Sequence, residues 1–520
     1  MFSLPLLCIF AVAIILTLAF CIPFLEKILA KKLNLTILSK KHQATILVGA
    51  LIVCAYALGV HSHSRLFALY KDVLGSELPI IFAVRILMFS LLYTTLTFCS
   101  KLVTSSALNA YPVKSNKVCL LITIGFTVLL LALWGIEGTH ASNDYSGQIA
   151  SARMGEYDKA HPVSHTLFCC CLLYIYDSIH TIIISQILFY ALSIYAISWF
   201  CKRAEISIFF TITATFLATI CTYQILLLAI KDSFFISSCT IATVGLMSWC
   251  LTPSRKAVLL TTIGLIGVGI FRYDGQAIVI LTATALIMTV FVRRQKIRQI
   301  LIMSIVPCII IILAHVILPG YLNATSHMVG TKMAMPAEIV CEVIAQNGNI
   351  SKEELSQAEE IIMPKEMIIK HHGMSAEYDG RKYMWAYFSN QEELETYSFA
   401  YRLSGKEKEL LPLAITVALK NPVITIRHFI EQGRMVWDPS MQYKQPTAFF
   451  FFVNLVLLCI LFKCNQSPIY YIPFIPVLTV ALTSTFVATT FEPRYTFPIF
   501  FGGALSIAYT HFILRLGKGK

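Results

Sequence analysis

The chain has 520 residues, of which 57% are hydrophobic and only 13% are charged, and its mean hydropathy is +0.73. Soluble domains carry about 25% charged residues, so this composition excludes an aqueous globular fold and indicates a polytopic membrane protein. The formal charge of +13 would suggest nucleic-acid binding in a soluble protein. Here the basic residues lie in short loops between apolar runs, where they set topology, and we expect no nucleic-acid partner.

Long apolar runs without the alternation of β-strands predict transmembrane helices. A span needs about 20 apolar residues, and in hydrocarbon each backbone amide must be satisfied within its own segment. We therefore predict an all-α fold, a polytopic bundle of about 13 spans with one extracytoplasmic helical insertion. The predicted spans are 3–24, 44–60, 79–100, 118–136, 178–200, 206–230, 234–251, 257–271, 274–292, 299–318, 447–463, 469–490 and 495–514.

Basic residues concentrate in every second loop, which the positive-inside rule assigns to the cytoplasm. This arrangement leaves the N-terminus outside and the C-terminus inside. The apolar stretch 164–177 is too short to span, so we predict an interfacial or re-entrant helix at the outer face. The basic segments contain Lys27, Lys31, Lys32, Lys40, Lys41, Lys101, Lys114, Lys117, Lys202, Arg203, Arg255, Lys256, Arg293, Arg294, Lys296, Arg298, Lys463, Arg515, Lys518 and Lys520. The loops predicted outside are 61–78, 137–177, 231–233, 272–273, 319–446 and 491–494.

The chain divides into four parts on this pattern. Residues 1–117 form N-terminal additional spans, 118–318 a transmembrane core with the large outer loop 137–177, 319–446 the insertion, and 447–520 the last spans. In the insertion, Ser351 and Glu354 form a capping-box signal for a helix over 352–362, and Asn421-Pro422 opens an amphipathic run over 423–431.

The first large outer loop carries the first group of candidate site residues. A carboxylate such as Asp144 can accept the proton of an attacking hydroxyl if it lies within hydrogen-bond reach. An ordinary solvated loop accounts for the same residue types equally well. The candidates in this loop are Glu137, Asn143, Asp144, Glu156, His161 and His165.

Three short outer turns each combine a carboxylate with a cation. Singly, each fits a structural role: Lys231 and Asp232 can cap a helix, and Arg272 and Asp274 can pair within a hairpin. Together they suit a pocket for a substrate with a diphosphate leaving group and a hydroxyl acceptor, because cations stabilise charge that develops on a departing phosphate. The candidates are Lys231, Asp232, Arg272, Asp274, Glu492, Arg494 and Tyr495.

The layout of 118–515 resembles the GT-C superfamily of integral-membrane glycosyltransferases, which includes protein O-mannosyltransferases and bacterial cell-envelope enzymes. The resemblance lies in Asn143-Asp144, the His161-Pro162 and His165-Thr166 turn, and the later charged turns. It implies a polyprenyl-phosphate-linked sugar donor used outside the cytoplasm, with a glycan, lipid or protein as acceptor. By this resemblance Asp144 is the catalytic base.

The resemblance also implies a binding site for the lipid phosphate, and it bears on whether the enzyme binds a divalent metal ion. Lys231, Arg272 and Arg494 are the phosphate candidates by resemblance. Many relatives carry two acids in the first loop, whereas this chain has Asn143-Asp144. A divalent metal ion would therefore need Glu137 or Glu156 as its second carboxylate.

Other functions fit parts of the pattern. A transporter or flippase for a lipid-linked or anionic solute is the first alternative, although such proteins commonly show inverted repeats and midplane charges, and the sequence shows no internal repeat. A polysaccharide polymerase or ligase shares the donor chemistry, and a non-catalytic scaffold is the remaining alternative. In each case we expect an integral protein of the bacterial inner or plasma membrane.

Overall fold

A computed structural model describes most of the chain from residue 96 onward. The described residues are 96–97, 99, 101–103, 105–109, 111–138, 140–141, 143–159, 161–291, 296–325, 333–370, 402–403, 405–437, 447–464, 466–486 and 496–518. The predicted spans 3–24 and 44–60, most of 79–100, and the turn with Glu492, Arg494 and Tyr495 lie outside this part.

The described residues form an almost purely helical protein, which confirms the predicted all-α class. The core helices are α1 (Asn116–Glu137), α2 (Asn143–Arg153), α3 (Val163–Ile175), α4 (Ile179–Arg203), α5 (Ile208–Leu226), α6 (Lys231–Leu251), α7 (Arg255–Phe271), α8 (Gly275–Met288) and α9 (Ile297–Tyr321). Further helices are α10 (Ala334–Ala345), α11 (Lys352–Ile361), α12 (Glu407–Lys420), α13 (Pro422–Gln432), α14 (Arg434–Trp437), α15 (Thr447–Lys463), α16 (Ile475–Phe486) and α17 (Phe497–Lys518). Two short strands, β1 (His140–Ala141) and β2 (Leu228–Ala229), pair in parallel.

Within the described part, six helices are long and apolar enough to cross a membrane, or seven if the bent pair α12–α13 counts as one. The predicted total of about 13 spans is therefore not reached there. Each apolar run from 118 onward nevertheless coincides with a helix, and α5, α7, α8 and α15 are the ones not among the six. The described chain is thus consistent with an integral membrane protein.

Among the candidate spans that the structure describes, α6 is the most buried: 94% of its most apolar 18 residues are buried, whereas only 28% of the corresponding residues are buried in α1. Helix α6 lies so close to α7 that a Cβ added to Gly264 would overlap the backbone of Ala242, and one added to Gly245 would overlap Thr261. Small residues allow two helices in a membrane to approach closely, which is how association is achieved without a hydrophobic driving force.

Three of the predicted basic segments, at 114–117, 202–203 and 255–256, meet at one end of the described bundle, which we call the basic end. Lys202 Nζ donates to Asn116 Oδ1 at 3.0 Å, and Arg203 Nη1 donates to Ser254 Oγ at 2.9 Å. Lys256 lies 4.7 Å from the ring centroid of Trp199. The turns of the candidate residues lie at the opposite end, which we call the acidic end: 137–165, 231–232 and 272–274.

The insertion has a hydrophobic core of its own, formed by α10, α11 and α12. Both bonds of the predicted capping box are present: Ser351 Oγ accepts from Glu354 N, and Glu354 Oε2 accepts from Ser351 N at 2.8 Å. Helix α13 begins at Pro422, where the Asn-Pro pair predicts it. It packs against α16, so the insertion is joined to the C-terminal spans.

Candidate functional site

The pairing of β1 with β2 brings two distant segments together at the acidic end. His140 pairs with Leu228, and Ala141 pairs with Ala229. Each strand is followed almost at once by a helix, α2 beginning at Asn143 and α6 at Lys231. The backbone of Asp144, in the first turn of α2, is therefore adjacent to the Lys231-Asp232 turn. The side chains of Asn143 and Asp144 lie outside the described residues.

Arg272 connects two of the predicted turns through its guanidinium group. Its Nη1 is bonded to Asp232 Oδ1, and its Nε donates to Asp274 Oδ1 at 2.7 Å. The Asp232 side chain is fully buried, and the guanidinium lies 5.2 Å from the Phe235 ring centroid. A buried carboxylate needs such a partner, since desolvation of an unpaired charge is highly unfavourable. The predicted Arg272–Asp274 pair is thus present, with Asp232 as a further member.

Lys231 and Tyr273 connect these turns to the end of the first loop. Lys231 Nζ lies 3.1 Å from His161 Nδ1. Because an ammonium group can only donate, the imidazole nitrogen accepts. The Tyr273 hydroxyl donates to the carbonyl oxygens of Lys159 and His161, each at 2.9 Å. Burial, the largest cause, raises the pKa of Tyr273, so this hydroxyl remains a donor across the physiological range.

His165 is buried between α2, α3 and the aromatic residues of α6 and α7, where it has a structural role. It is buried, with its Nδ1 3.1 Å from Gln148 Oε1, and the Thr166 hydroxyl donates to the same oxygen at 3.0 Å. Its ring also contacts Phe234 and Phe271. These contacts dock α2 onto α3, and Gln148 is one helical turn after Asp144. His165 therefore positions the helix that carries the predicted base.

A cleft of about 390 Å³ opens between α2 and the junction of α3 with α4. Arg153 and Asp177 form an ion pair across it. Burial, the largest cause, raises the pKa of Tyr145 to about 12, so its phenol is neutral. The cleft is lined by Tyr145, Ser146, Ile149, Ala150, Arg153, Leu173, Asp177, Ser178 and Ile179.

Two further candidates, Glu137 and Glu156, are exposed at the acidic end. Glu137 is exposed at the end of α1 and accepts from the Tyr223 hydroxyl at 3.4 Å, and Glu156 is exposed in the loop after α2. Sequence reasoning missed Tyr145, Arg153 and Asp177 as members of one cleft. Tyr145 could have been suspected because it follows Asp144 directly, but no local signal pairs Arg153 with Asp177.

No protein-family profile, no curated protein and no solved structure matches the chain. Among the described residues, no group of three or more His, Cys, Asp and Glu side chains has the arrangement of a metal site. The predicted divalent metal stays a prediction, since the Asp144 side chain is outside that set.

Proposed function

We propose that this chain is a membrane glycosyltransferase that transfers a sugar from a polyprenyl-phosphate-linked donor to an acceptor outside the cytoplasm. The acceptor is a glycan, lipid or protein of the cell envelope, and the acidic end faces the extracytoplasmic side of a bacterial inner membrane. The observation that carries the proposal is the β1–β2 pairing, because it brings the start of α2, with Asp144, beside the Lys231-Asp232 turn. A base and a phosphate-binding cation need this proximity.

The proposed chemistry is a single displacement at the anomeric carbon. An acceptor hydroxyl attacks that carbon while Asp144 takes its proton, so that a new C–O bond forms. The bond between the anomeric carbon and the phosphate oxygen breaks, and its electron pair leaves with the polyprenyl phosphate. Positive groups near that oxygen stabilise the departing charge.

The contacts of Arg272 and Lys231 indicate a different role for each cation. Arg272 is held between Asp232 and Asp274, so it orders the turns and supports the shape of the site. Lys231 donates to a neutral ring nitrogen of His161 and carries its positive charge to the edge of the first loop. We therefore assign the phosphate to Lys231 in preference to Arg272. Arg494 stays a candidate outside the described residues.

The cleft beside α2 suits the acceptor. It begins at Tyr145, the residue after the proposed base, and combines hydroxyl, guanidinium and carboxylate groups with an aromatic ring. Sugar hydroxyls both donate and accept hydrogen bonds, so such a mixed lining can bind them. The volume of about 390 Å³ lies within the range of small-molecule sites.

The test is sugar transfer by the Asp144→Asn variant in proteoliposomes supplied with a polyprenyl-linked donor and extracted cell-envelope acceptor. The amide keeps the size of the side chain but removes the base, so transfer should fall to background. The matched control is Glu360→Gln, an exposed carboxylate of α11 far from the acidic end in sequence. Transfer at the wild-type rate by Asp144→Asn would overturn the proposal. Unchanged glycan with altered solute uptake would instead favour the transporter.

A further inference from the structure

Helix α12 is apolar on both of its faces, which is unusual for a helix in a polar insertion. Leu410, Leu413 and Val417 are buried in the core of the insertion. On the opposite face Ile415 is 52% exposed and Leu419 is 77% exposed. A helix that is hydrophobic all round belongs in a protein core or in a membrane.

The exposed apolar face continues past the end of α12 into α13. Val423 is 77% exposed and Ile426 is 58% exposed. The two helices meet at a bend of 108°. We call residues 410–426, which contain this bend, the elbow. A contiguous apolar patch of this kind on a soluble surface marks an interaction site.

The polar groups of the elbow are satisfied within the protein, as a lipid environment requires. The Thr416 hydroxyl donates to the Pro412 carbonyl at 2.9 Å. At the bend, Asn421 Nδ2 donates to the carbonyls of Asn349 and Val417, and its Oδ1 accepts from the Asn349 amide at 2.7 Å. The stretch 410–419 carries no charged residue. Lys420, which ends α12, is paired with Glu354 at 2.6 Å.

The elbow adjoins the apolar surface of a predicted span. The ring of Phe429 in α13 lies 4.9 Å from that of Phe486 at the end of α16. Phe486 and Leu482 are themselves exposed on α16, at 47% and 53%. In a membrane these two side chains face lipid, and the apolar face of the elbow begins beside them.

We propose that the elbow lies in the interface of the outer leaflet of the bilayer, with its exposed apolar face among the acyl chains. Its opposite face packs on α11, and Lys420 at the end of α12 pairs with Glu354 of α11, so the elbow lies along the membrane surface and the insertion stays on its water side. The occupant of the exposed face is therefore the acyl chains of lipid. Helix α11, whose sequence KEELSQAEEI is polar, faces water. This inference does not depend on sugar transfer.

The experiment is photolabelling of the wild-type chain, reconstituted in proteoliposomes with a phospholipid that carries a diazirine on its acyl chain. Peptides that contain 410–426 should carry adducts at a level comparable to those from α15, a predicted span. Peptides from α11 should carry none. Labelling of α15 without labelling of the elbow would overturn the proposal.

A matched pair of variants controls for adventitious labelling. Ile415→Glu introduces a carboxylate on the exposed apolar face, and Gln357→Glu introduces one on the exposed face of α11. The first should abolish labelling of the elbow, and the second should leave it unchanged. An impermeant amine reagent should also reach Lys352, before the elbow, from one side of the membrane and Lys463, at the end of the predicted span α15, only from the other side. Access to both lysines from the same side would make α12–α13 a broken span and contradict the interfacial position of the elbow.

Discussion

Asp232 and Arg272 lie 40 residues apart in the chain and form an ion pair at the acidic end of two closely packed helices. The carboxylate is fully buried, while the guanidinium side chain is only 11% exposed. Asp232 lies in the first turn of α6, and Arg272 directly follows the last residue of α7. The ion pair therefore fixes the distance between the start of α6 and the end of α7.

Removal of Arg272 should destabilise the protein strongly. Arg272→Met leaves a buried carboxylate without its cation, for which a loss of about 3–5 kcal/mol is typical. The double variant Asp232→Asn with Arg272→Met removes both charges and should recover part of this loss. Thermal unfolding of the purified chain in detergent measures both. Equal losses in the single and double variants would show that the ion pair is not the cause.

Close packing of α6 on α7 should make Gly264 intolerant of a side chain. A Cβ at this position would overlap the backbone of Ala242, and overpacking of a well-packed core costs about 1–3 kcal/mol. The matched control is Gly125→Ala in α1, where nothing lies within 4 Å of the added atom. Gly264→Ala should lower the unfolding temperature and Gly125→Ala should not. The same shift in both variants would contradict the observed approach of the helices.

His428 should stabilise the docking of α13 on α10. Its buried ring lies between two buried carboxylates, with Nε2 3.8 Å from Glu338 and Nδ1 4.0 Å from Glu342. His428→Ala removes the imidazole from between the two carboxylates, while Gln432 still donates to Glu338 and Gln346 to Glu342. The free energy of unfolding should therefore fall by less than the loss of about 3–5 kcal/mol that is typical when a buried charge loses its whole partner. Substitution of both glutamates by glutamine in the same chain should restore much of the stability.

Cys341 provides a local readout of this docking. It is buried between the two glutamates in α10, and burial, followed by the two carboxylates, holds the pKa of its thiol well above its ordinary value. The native chain should therefore react slowly at Cys341 with a maleimide, and His428→Ala should react faster. The reaction rate of the exposed Cys171 is the control and should be the same in the native chain and in His428→Ala. An unchanged Cys341 rate would mean that His428 does not hold α13 closed.

Arg153 should affect acceptor binding without affecting stability. Its pair with Asp177 is exposed, at 59% and 67%, and surface ion pairs contribute about 0–1 kcal/mol. Arg153→Gln should leave the unfolding temperature unchanged and raise the KM for the acceptor with little change in kcat. Lys406→Gln, which breaks the exposed pair with Glu409, is the control and should change neither. An effect on kcat alone would exclude the cleft as the acceptor site.

The helices were predictable because a long apolar run in hydrocarbon must satisfy its backbone hydrogen bonds within the run, and the α-helix does this. The capping box at Ser351 and the start of α13 at Pro422 were equally predictable, since both depend on neighbours in the chain. The β1–β2 pairing was not, because two residues carry no periodicity and the partners are distant in sequence. The burial of Asp232 was not predictable either. Nothing in the residues around Asp232 indicates a buried carboxylate, and its ion-pair partner Arg272 is 40 residues away.

The parallel direction of β1 and β2 has an electrostatic consequence. Because both strands run the same way into their helices, α2 and α6 begin side by side. Each helix start carries a partial positive charge of about half an elementary charge from its aligned peptide dipoles. The carboxyl ends of α1 and α5, which carry the opposite partial charge, come just before the same two strands. Positive and negative helix ends therefore alternate within a few residues of the Lys231-Asp232 turn, and this pattern is fixed in the backbone, where neither pH nor a side-chain rotation removes it.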